Sequence, residues 1–139
     1  MPPQASRSTV EHHQLAPAER RGELFSEQCP SREVFKHVTS LWGVLSLVAL
    51  QQGTLRFSEL RRQVGGVSEK MLAQTLQVLE ADGFVVRTAR PVVPPHVEYS
   101  LTPLGMEVSV HVAELADCIE ANLPLVTRHR RAREASAGA

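Results

Sequence analysis

Apolar residues recur at helical spacing in the stretch "GGVSEKMLAQTLQVLEADGF", residues 65–84. Leu72, Leu76 and Leu79 are separated by four and then three positions, which places them on one face of a helix. Ser68 is suited to cap this helix and Gly83 to end it. The helix therefore has a buried leucine face, and its opposite, outward face carries the polar residues Lys70, Gln74 and Gln77.

A shorter amphipathic helix precedes it in "RFSELRRQV". The inward positions are predicted to be Phe57, Leu60 and Val64, and Arg61 and Arg62 point outward. Gly65 and Gly66 separate the two helices, because consecutive glycines break a helix.

Three further segments show helical patterns. "CPSREVFKHV" starts a helix at Pro30, and "LWGVLSLVAL", apolar nearly all round, predicts a buried central helix that ends near Gly53. "TPLG" opens a last helix, with Thr102 as its cap, that runs to about Leu123. Its apolar stripe consists of Leu104, Val108, Leu115 and Ile119.

Alternating and β-branched residues in "FVVRTAR" and "HVEYSL" predict two strands. "PVVPP" separates them and predicts a hairpin with a stiff, proline-rich tip. A short helix, a glycine turn, a second helix and then a hairpin are the order of a winged helix-turn-helix. The fold class is α+β, mainly α.

We divide the chain into three parts. Residues 1–27 lack a sustained apolar period and are predicted to be a flexible N-terminal arm. Residues 28–125 form the winged helix-turn-helix domain with its dimerisation helices. Residues 126–139 have four arginines between positions 128 and 133 and are predicted to be a disordered, Arg-rich tail.

The net charge of the 139 residues is zero, but the charges are separated along the chain. Residues 54–96 carry six basic and four acidic side chains, not counting histidine. Residues 97–127 contain five acidic residues and no Lys or Arg. The basic part coincides with the helix-turn-helix and the wing, which is where a nucleic acid would bind.

Other classes of protein find little support. No phosphate-binding glycine loop, nucleophile elbow or acid–base cluster is visible, so we predict no enzyme and no cofactor. Two cysteines predict neither a disulfide scaffold nor a metal site. The polar N-terminus shows no signal peptide, and the run from Leu41 to Leu50 is about half the length that spans a bilayer. We therefore expect a cytoplasmic protein without membrane contact.

Five motifs in order and spacing resemble the HxlR-type family of winged helix-turn-helix transcriptional regulators, which are relatives of the MarR-like regulators. They are "CP" at Cys29, the tryptophan Trp42, "RFSELRR", "GVSEKMLAQTLQVLEADGFVVR" and "PPHVEYSLTPLG". The resemblance covers about 80 to 95 residues. One departure is Leu41, where the family usually has a basic residue.

The resemblance implies a homodimer that binds a roughly palindromic operator in double-stranded DNA, with the first and last helices of each subunit at the interface. The residues agree, since a long last helix cannot bury an apolar stripe against one small domain. Repression is the expected mode, because a small dimer acts most simply by occupying a promoter.

The outward side of the second helix then becomes the candidate for reading bases in the major groove. Glutamine pairs in a bidentate way with adenine, and lysine reaches guanine acceptors or phosphate. Residues on the flank contact thymine methyl groups, and a hydroxyl at the helix N-terminus contacts phosphate. The candidates are Ser68, Lys70, Met71, Gln74, Thr75 and Gln77.

A second set is predicted to contact phosphates and the minor groove, which positions the protein without reading sequence in the major groove. The supporting helix and its start contribute Arg56, Ser58, Arg61 and Arg62, and the wing contributes Arg87, Arg90 and His96.

Cys29 is the candidate for regulation. A thiol beside the start of a helix feels the positive end of the helix dipole, which favours the reactive thiolate. Some members of the family with a cysteine at this place sense oxidants or electrophiles. The alternative is a small residue packed in the dimer interface.

Two other functions remain open. A winged helix without DNA binding would act as a protein-interaction module through its dimer surface. A regulator gated by a small molecule between the dimer helices and the winged domain is the other, and the sequence names no ligand.

Overall fold

A computed structural model describes residues 24–138. Most of the predicted N-terminal arm lies outside these residues. The chain divides into two units, Met1–Phe35 and Lys36–Ala139, and the first helix begins in one and ends in the other. The helices and strands are α1 (Pro30–Thr39), α2 (Leu41–Leu50), β1 (Leu55–Arg56), α3 (Phe57–Gln63), α4 (Glu69–Ala81), β2 (Val85–Arg90), β3 (His96–Leu101), α5 (Pro103–Ala121) and α6 (Leu123–Gly138).

The three strands form an antiparallel sheet in the order β1-β3-β2. Strands β2 and β3 are the predicted hairpin, and their register places Arg87 opposite Tyr99 and Arg90 opposite His96. The two-residue strand β1 was not predicted from the sequence, and it pairs with β3 so that Arg56 lies opposite Glu98. The winged helix-turn-helix fold is therefore confirmed.

The core lies where α2 packs against α4 and α5. Leu47 of α2 and the predicted leucine face of α4 are fully or almost fully buried, with Leu72, Leu76 and Leu79 no more than 1% exposed. Because α4 and α5 pack on one side of α2, the other side stays accessible, and Leu41 and Leu45 are 62% and 37% exposed. The prediction of a helix buried all round is wrong on that side.

The joint between the wing and α5 depends on a close approach of two backbones. Thr102 caps α5 as predicted, since its hydroxyl accepts the N–H of Gly105 at 2.9 Å, and it also donates to the carbonyl of Gly83 at 2.6 Å. The backbone N–H of Thr102 donates to the carbonyl of Phe84 at 3.0 Å. These bonds hold the start of α5 against the backbone of residues 83–84, which connects the end of α4 to the start of β2.

The predicted disordered tail is wrong. Residues Leu123–Gly138 form helix α6, which starts directly after the Asn122 cap of α5. Arginine and alanine have high helix propensity, which favours a helix here despite the lack of apolar residues. None of the α6 residues is buried.

Among the described residues, no single helix is long and apolar enough to cross a membrane, and α1 and α2 reach the required length and composition only as a broken pair.

Candidate nucleic-acid interface

Helices α3 and α4 are joined by a tight turn over residues 64–68 that fixes how α4 is presented. Leu60, Val64 and Val67 anchor the turn in the core, each 5% exposed or less. Gly66 has φ 91°, which a residue with a side chain rarely adopts, and a Cβ built on Gly66 would lie 3.9 Å from the Trp42 ring. The tryptophan thus lies close beneath the turn.

The outward side of α4 is exposed as predicted. Lys70, Gln74 and Gln77 all point to solvent, and none of the three side chains makes a hydrogen bond or ion pair with another described residue. Met71, on the flank, is 43% exposed. These side chains are available for base edges in a major groove, which admits an α-helix.

Ser68 caps α4 as predicted. Its hydroxyl oxygen accepts the backbone N–H of Met71 at 3.1 Å. The hydroxyl hydrogen remains available to a phosphate, next to the amides that a helix N-terminus leaves unpaired.

Thr75 does not lie on the exposed flank. It is only 7% exposed, and its hydroxyl donates to the backbone carbonyl of Met71 at 2.8 Å. Thr75 lies three positions after Leu72 and four positions before Leu79, so its side chain is on the leucine side of the helix. The prediction that Thr75 is exposed for contact with thymine is wrong.

The two arginines of α3 lie beside the turn and are held differently. Arg61 donates from Nε to the carbonyl of Val67 at 3.4 Å, and its Nη1 lies 3.6 Å from the Glu69 carboxylate. Arg62 makes only a long contact, 3.5 Å, with the carbonyl of Ser58. Arg61 therefore bridges the turn along the protein surface, whereas the guanidinium of Arg62 is largely available.

An open cleft of about 670 Å³ runs along this turn, lined by Ser58, Arg61, Arg62, Ser68 and Glu69 among others. Four of these five residues were predicted to contact phosphate. The structure brings these four together, beside the carboxylate of Glu69, between α3 and the start of α4.

A second cleft, of about 460 Å³, lies between the start of α3 and the wing. Its lining includes Arg56, Ser58, Arg87 and His96. Ser58 belongs to both clefts, and the two clefts together are lined by all the predicted phosphate and wing residues except Arg90. Glu59, which accepts the backbone N–H of Arg56 at 2.8 Å, fixes the start of α3 within it.

The wing carries a carboxylate that sequence reasoning missed. Arg90 donates from Nε to Oε1 of Glu98 at 3.0 Å, and Nε2 of His96 lies 3.2 Å from the other oxygen. Residues opposite one another, or two apart on one strand, share a face of the sheet, so these three side chains lie together. The signal was visible as His96 and Glu98 at spacing two on one strand.

This cluster changes the charge of the wing. The hydrogen bond from Arg90 lowers the pKa of Glu98 below its ordinary value, and the bond from His96 acts in the same direction, against the partial loss of hydration. Glu98 is therefore ionised at neutral pH, and Arg90 presents a partly compensated charge to any ligand.

Arg87 is on the other face of the sheet. It lies opposite Tyr99, which is 7% exposed and whose ring centroid is 6.4 Å from that of Phe57 in α3. The side chain of Arg87 makes no hydrogen bond or ion pair with another described residue. The pairing thus places Arg87 on one face of the hairpin and Arg90 with Glu98 on the other, and His96, at the start of β3, contacts Glu98 and also lines the cleft beside α3.

A contact between α1 and the C-terminal end of α4 helps to fix the position of α4. Nδ1 of His37 lies 2.6 Å from the carboxylate of Asp82, the C-terminal cap residue of α4, and both side chains are at most 20% exposed. Sequence reasoning did not single out either residue, because 45 positions separate them. This bond anchors α4 at the end away from Ser68.

Cys29 directly precedes α1 and is partly exposed. Its backbone N–H donates to Ser26 and its carbonyl accepts from Arg32, each at 3.1 Å. Within the described residues, no group of three His, Cys, Asp or Glu side chains is arranged to hold a metal ion.

Comparison with known proteins agrees with this geometry. The profile of the HxlR-like helix-turn-helix family matches residues 37–127. The chain belongs to this family. It is 71% identical over 116 residues to the uncharacterized HTH-type transcriptional regulator YtfH of Escherichia coli (strain K12), a match that covers 84% of this chain and 92% of that protein. The predicted family membership is thereby confirmed, and this HxlR-like chain is a transcriptional regulator with a helix-turn-helix DNA-binding domain.

Solved structures of HxlR-like and MarR-like relatives extend the comparison. The ytfH regulator from Salmonella typhimurium shares 72% identity, covers 78% of this chain and 96% of its own, and superposes with a TM-score of 0.76. The redox regulator HypR in its oxidized form shares 34% identity over 68% of this chain and 97% of its own, with a TM-score of 0.62.

Proposed function

We propose that the protein is a repressor that binds a roughly palindromic operator as a homodimer and reads bases through Lys70, Gln74 and Gln77. The observation that carries the proposal is the pairing of two surfaces. An exposed, unpaired polar face on α4 lies beside clefts lined by basic and hydroxyl side chains. Base contacts specify and phosphate contacts position, so the two surfaces have separate roles.

The phosphate-contacting set is Ser58, Arg62, Arg87 and Ser68, with Arg56 and Arg61 at its edge. Arg61 also contacts the turn through the carbonyl of Val67. Arg90 and His96 both contact the carboxylate of Glu98. Met71 supplies an apolar contact on the flank of α4. Such a regulator acts in the cytoplasm, because that is where bacterial DNA lies.

The dimer is supported by exposed apolar side chains that one subunit leaves uncovered. On α5, Leu104, Leu115 and Ile119 are each about half exposed, at 49%, 53% and 54%. A continuous apolar stripe of this kind marks an interaction surface. Repression is the simplest mode of action, because a dimer that occupies a promoter needs no contact other than those with the DNA.

A titration tests the base-reading role. Fluorescence anisotropy would compare the wild type with a Lys70→Ala, Gln74→Ala double variant on the DNA upstream of the protein's own gene. Each good base contact contributes about 1 to 3 kcal/mol, so we expect the double variant to bind roughly 30-fold more weakly or worse. The matched control is Gln52→Ala, which removes the same amide side chain outside α4 and outside the helices of the proposed dimer interface, and it should bind like the wild type.

The same titration separates a regulator from a protein-interaction module. Phosphate contacts release counterions, so affinity for DNA should fall steeply as salt is raised. Absence of binding to promoter DNA at low salt, by wild type and variants alike, would exclude the DNA-binding role and favour the interaction module.

Oxidant response is a second candidate, favoured by the likeness to a redox regulator and by the partial exposure of Cys29. Hydrogen peroxide would oxidise the thiol to a sulfenic acid, with release of water. We expect peroxide to weaken DNA binding of the wild type and of Cys118→Ser, but not of Cys29→Ser. A peroxide effect that persists in Cys29→Ser would remove this candidate, and so would the absence of any effect in the wild type.

A further inference from the structure

Helix α6 is little covered by the rest of the described chain. None of its residues is buried, and its main contact is with α5, at the joint between the two helices. Four arginines, at positions 128, 130, 131 and 133, make no hydrogen bond or ion pair with another described residue. A helix without a buried face gains little from tertiary packing and is stabilised when a partner covers it.

One side of α6 combines an apolar residue with two cations. Val126, Arg130 and Arg133 are spaced by four and then three positions and therefore share a face, and Val126 is 40% exposed. Arg128 and Arg131 point elsewhere, because they line a cleft at the α5–α6 joint together with Glu120 of the same chain. The face of Val126, Arg130 and Arg133 is here called the basic face, and one acidic residue, Glu134, lies at its edge four positions after Arg130.

Helix α5 presents the complementary pattern. Glu107 and Glu114 are seven positions apart, which places them on one side of the helix, next to the exposed stripe that includes Leu115 and Ile119. Glu114 approaches His111 at 3.7 Å, and Glu107 makes no ion pair with a described residue. We call Glu107 and Glu114 the acidic flank. Charges that border an apolar stripe select the partner helix in coiled coils.

The acidic flank is not covered by α6 of its own chain. Glu107 lies 15 positions before the Asn122 cap, roughly 22 Å along the helix, whereas α6 touches α5 only near the cap. A basic face that contacts both residues of the acidic flank would therefore come from a second molecule.

DNA is a poorer occupant of α6 than protein. Leu123, Leu125 and Val126 in its first turns are 40 to 57% exposed, and a phosphate backbone would not cover them. A phosphate near Arg128 or Arg131 would also meet Glu120 in the same cleft. The 19 residues of α5, roughly 28 Å of helix, separate the start of α6 from the base of the wing.

We propose that α6 of one copy docks on α5 of a second copy, with its first turns against the apolar stripe and its basic face against the acidic flank. The inference rests on the proposed homodimer and specifies its contacts. By symmetry each dimer contains the contact twice, so the interface is self-complementary in charge although the protein has no net charge.

Charge reversal on each side tests the docking. One variant carries Arg130→Glu and Arg133→Glu, and the other carries Glu107→Lys and Glu114→Lys. In either homodimer both contacts become repulsive, so we expect the dimer dissociation constant to rise about tenfold or more in sedimentation velocity at low salt. In a mixture of the two variants every contact is again attractive. Native mass spectrometry should then show a heterodimer with affinity near that of the wild type.

Two further variants keep the test sharp. Arg128→Glu, Arg131→Glu makes the same change of charge on the same helix but away from the basic face, and should dimerise like the wild type. If charge reversal unfolds α6, seen as lost helical circular dichroism, Arg130→Gln, Arg133→Gln serves instead. Its dimer should be weaker than that of the wild type and less sensitive to salt.

Each other outcome overturns the docking. Variants that dimerise like the wild type would exclude it, as would weakened homodimers that form no heterodimer on mixing. Loss of DNA affinity with an unchanged dimer would assign the arginines to DNA instead. A wild type that stays monomeric would overturn the homodimer of the proposed function as well, whereas the other outcomes leave the reading of DNA by α4 untouched.

Discussion

Glu98 decides how much charge the wing offers to DNA. It holds Arg90 and His96 at 3.0 and 3.2 Å, so two of the three predicted wing contacts are already bound within the protein. Arg87, on the other face of the sheet, keeps its full charge. A count of basic residues in the sequence therefore overstates the field of the wing.

Glu98→Gln should bind DNA more tightly than the wild type. The amide can still accept the hydrogen bond from Arg90, but it no longer compensates the charge. We expect higher affinity and a plot of log affinity against log salt that is steeper by about one unit for each wing that gains a phosphate contact. Anisotropy titrations across a salt series measure this. Glu120→Gln removes the same charge at the far end of α5 and should leave the slope unchanged; an unchanged slope in Glu98→Gln itself would contradict the role of the cluster.

The same residue should make stability depend on pH. Because the hydrogen bond from Arg90 lowers the pKa of Glu98 in the folded state, ionised Glu98 favours folding. This contribution is present above the unfolded pKa of about 4.3 and is lost as the pH falls through the lower, folded pKa. The wild type should exceed Glu98→Gln in thermal midpoint at neutral pH and lose that small advantage in acid. A difference that is constant from pH 7 to about pH 3 would contradict this assignment.

Individual side chains show where reasoning from sequence stops. The leucine positions predicted which side of α4 is buried, and Lys70, Gln74 and Gln77 lie outward as expected. Thr75 sits at the border of the two sides, and its hydroxyl is satisfied by the backbone of the preceding turn. The 3.6-residue period of a helix predicts the middle of a buried or exposed side well, but it predicts the edge between the two sides poorly. The wrong prediction for Thr75 falls at such an edge.

At the scale of elements, the fold depends on α5 lying close to the start of the wing. A Cβ on Gly105 would lie 1.9 Å from the carbonyl oxygen of Phe84 and 2.8 Å from its carbon. Both atoms belong to the backbone, which cannot yield as a flexible side chain would. Only glycine at position 105 lets α5 approach this closely.

Gly105→Ala should therefore be strongly destabilising. Overpacking of this kind typically lowers the free energy of unfolding by about 1 to 3 kcal/mol. Because the added methyl group would meet backbone atoms, we expect a loss of about 3 kcal/mol. Urea denaturation measures the change in the free energy of unfolding. Gly65→Ala is the matched control, because nothing lies within 4 Å of its Cβ position and its φ is not positive, so its stability should change by less than about 1 kcal/mol. Equal losses in both variants would contradict the proposed close approach.

The longer elements were predictable because strong local signals specify them. Ser68 and Thr102 cap α4 and α5 as expected, and "PVVPP" separates two strands in the predicted hairpin. Strand β1 was missed because a two-residue strand exists only through its pairing with β3. The bond between His37 and Asp82 was missed for the same reason, since tertiary structure alone brings the two together.

At the scale of the whole molecule, basic and acidic residues are segregated into separate segments rather than balanced within each segment. The helix-turn-helix and wing carry the basic clefts, α5 is acidic, and α6 is basic again. The sequence showed this separation, but composition alone predicted α6 as a disordered tail and so missed its basic face. The segregation fits a dimer in which one basic surface meets DNA and another meets the partner subunit.

The spacing of half-sites in the operator tests the dimer as a reader of DNA. Two α4 helices related by a two-fold axis enter the major groove on one side of the duplex, about one helical turn apart. In an operator selected from random duplex DNA, inserting about five base pairs between the half-sites rotates one of them by half a turn. We expect a large loss of affinity in gel-shift titrations, because one dimer can then engage only one half-site. Inserting about ten base pairs restores the rotational phase and should recover more binding than the shorter insertion, although the greater separation still weakens it. Affinity that does not depend on phase would mean that each subunit binds its half-site independently, and the operator would then be read by monomers.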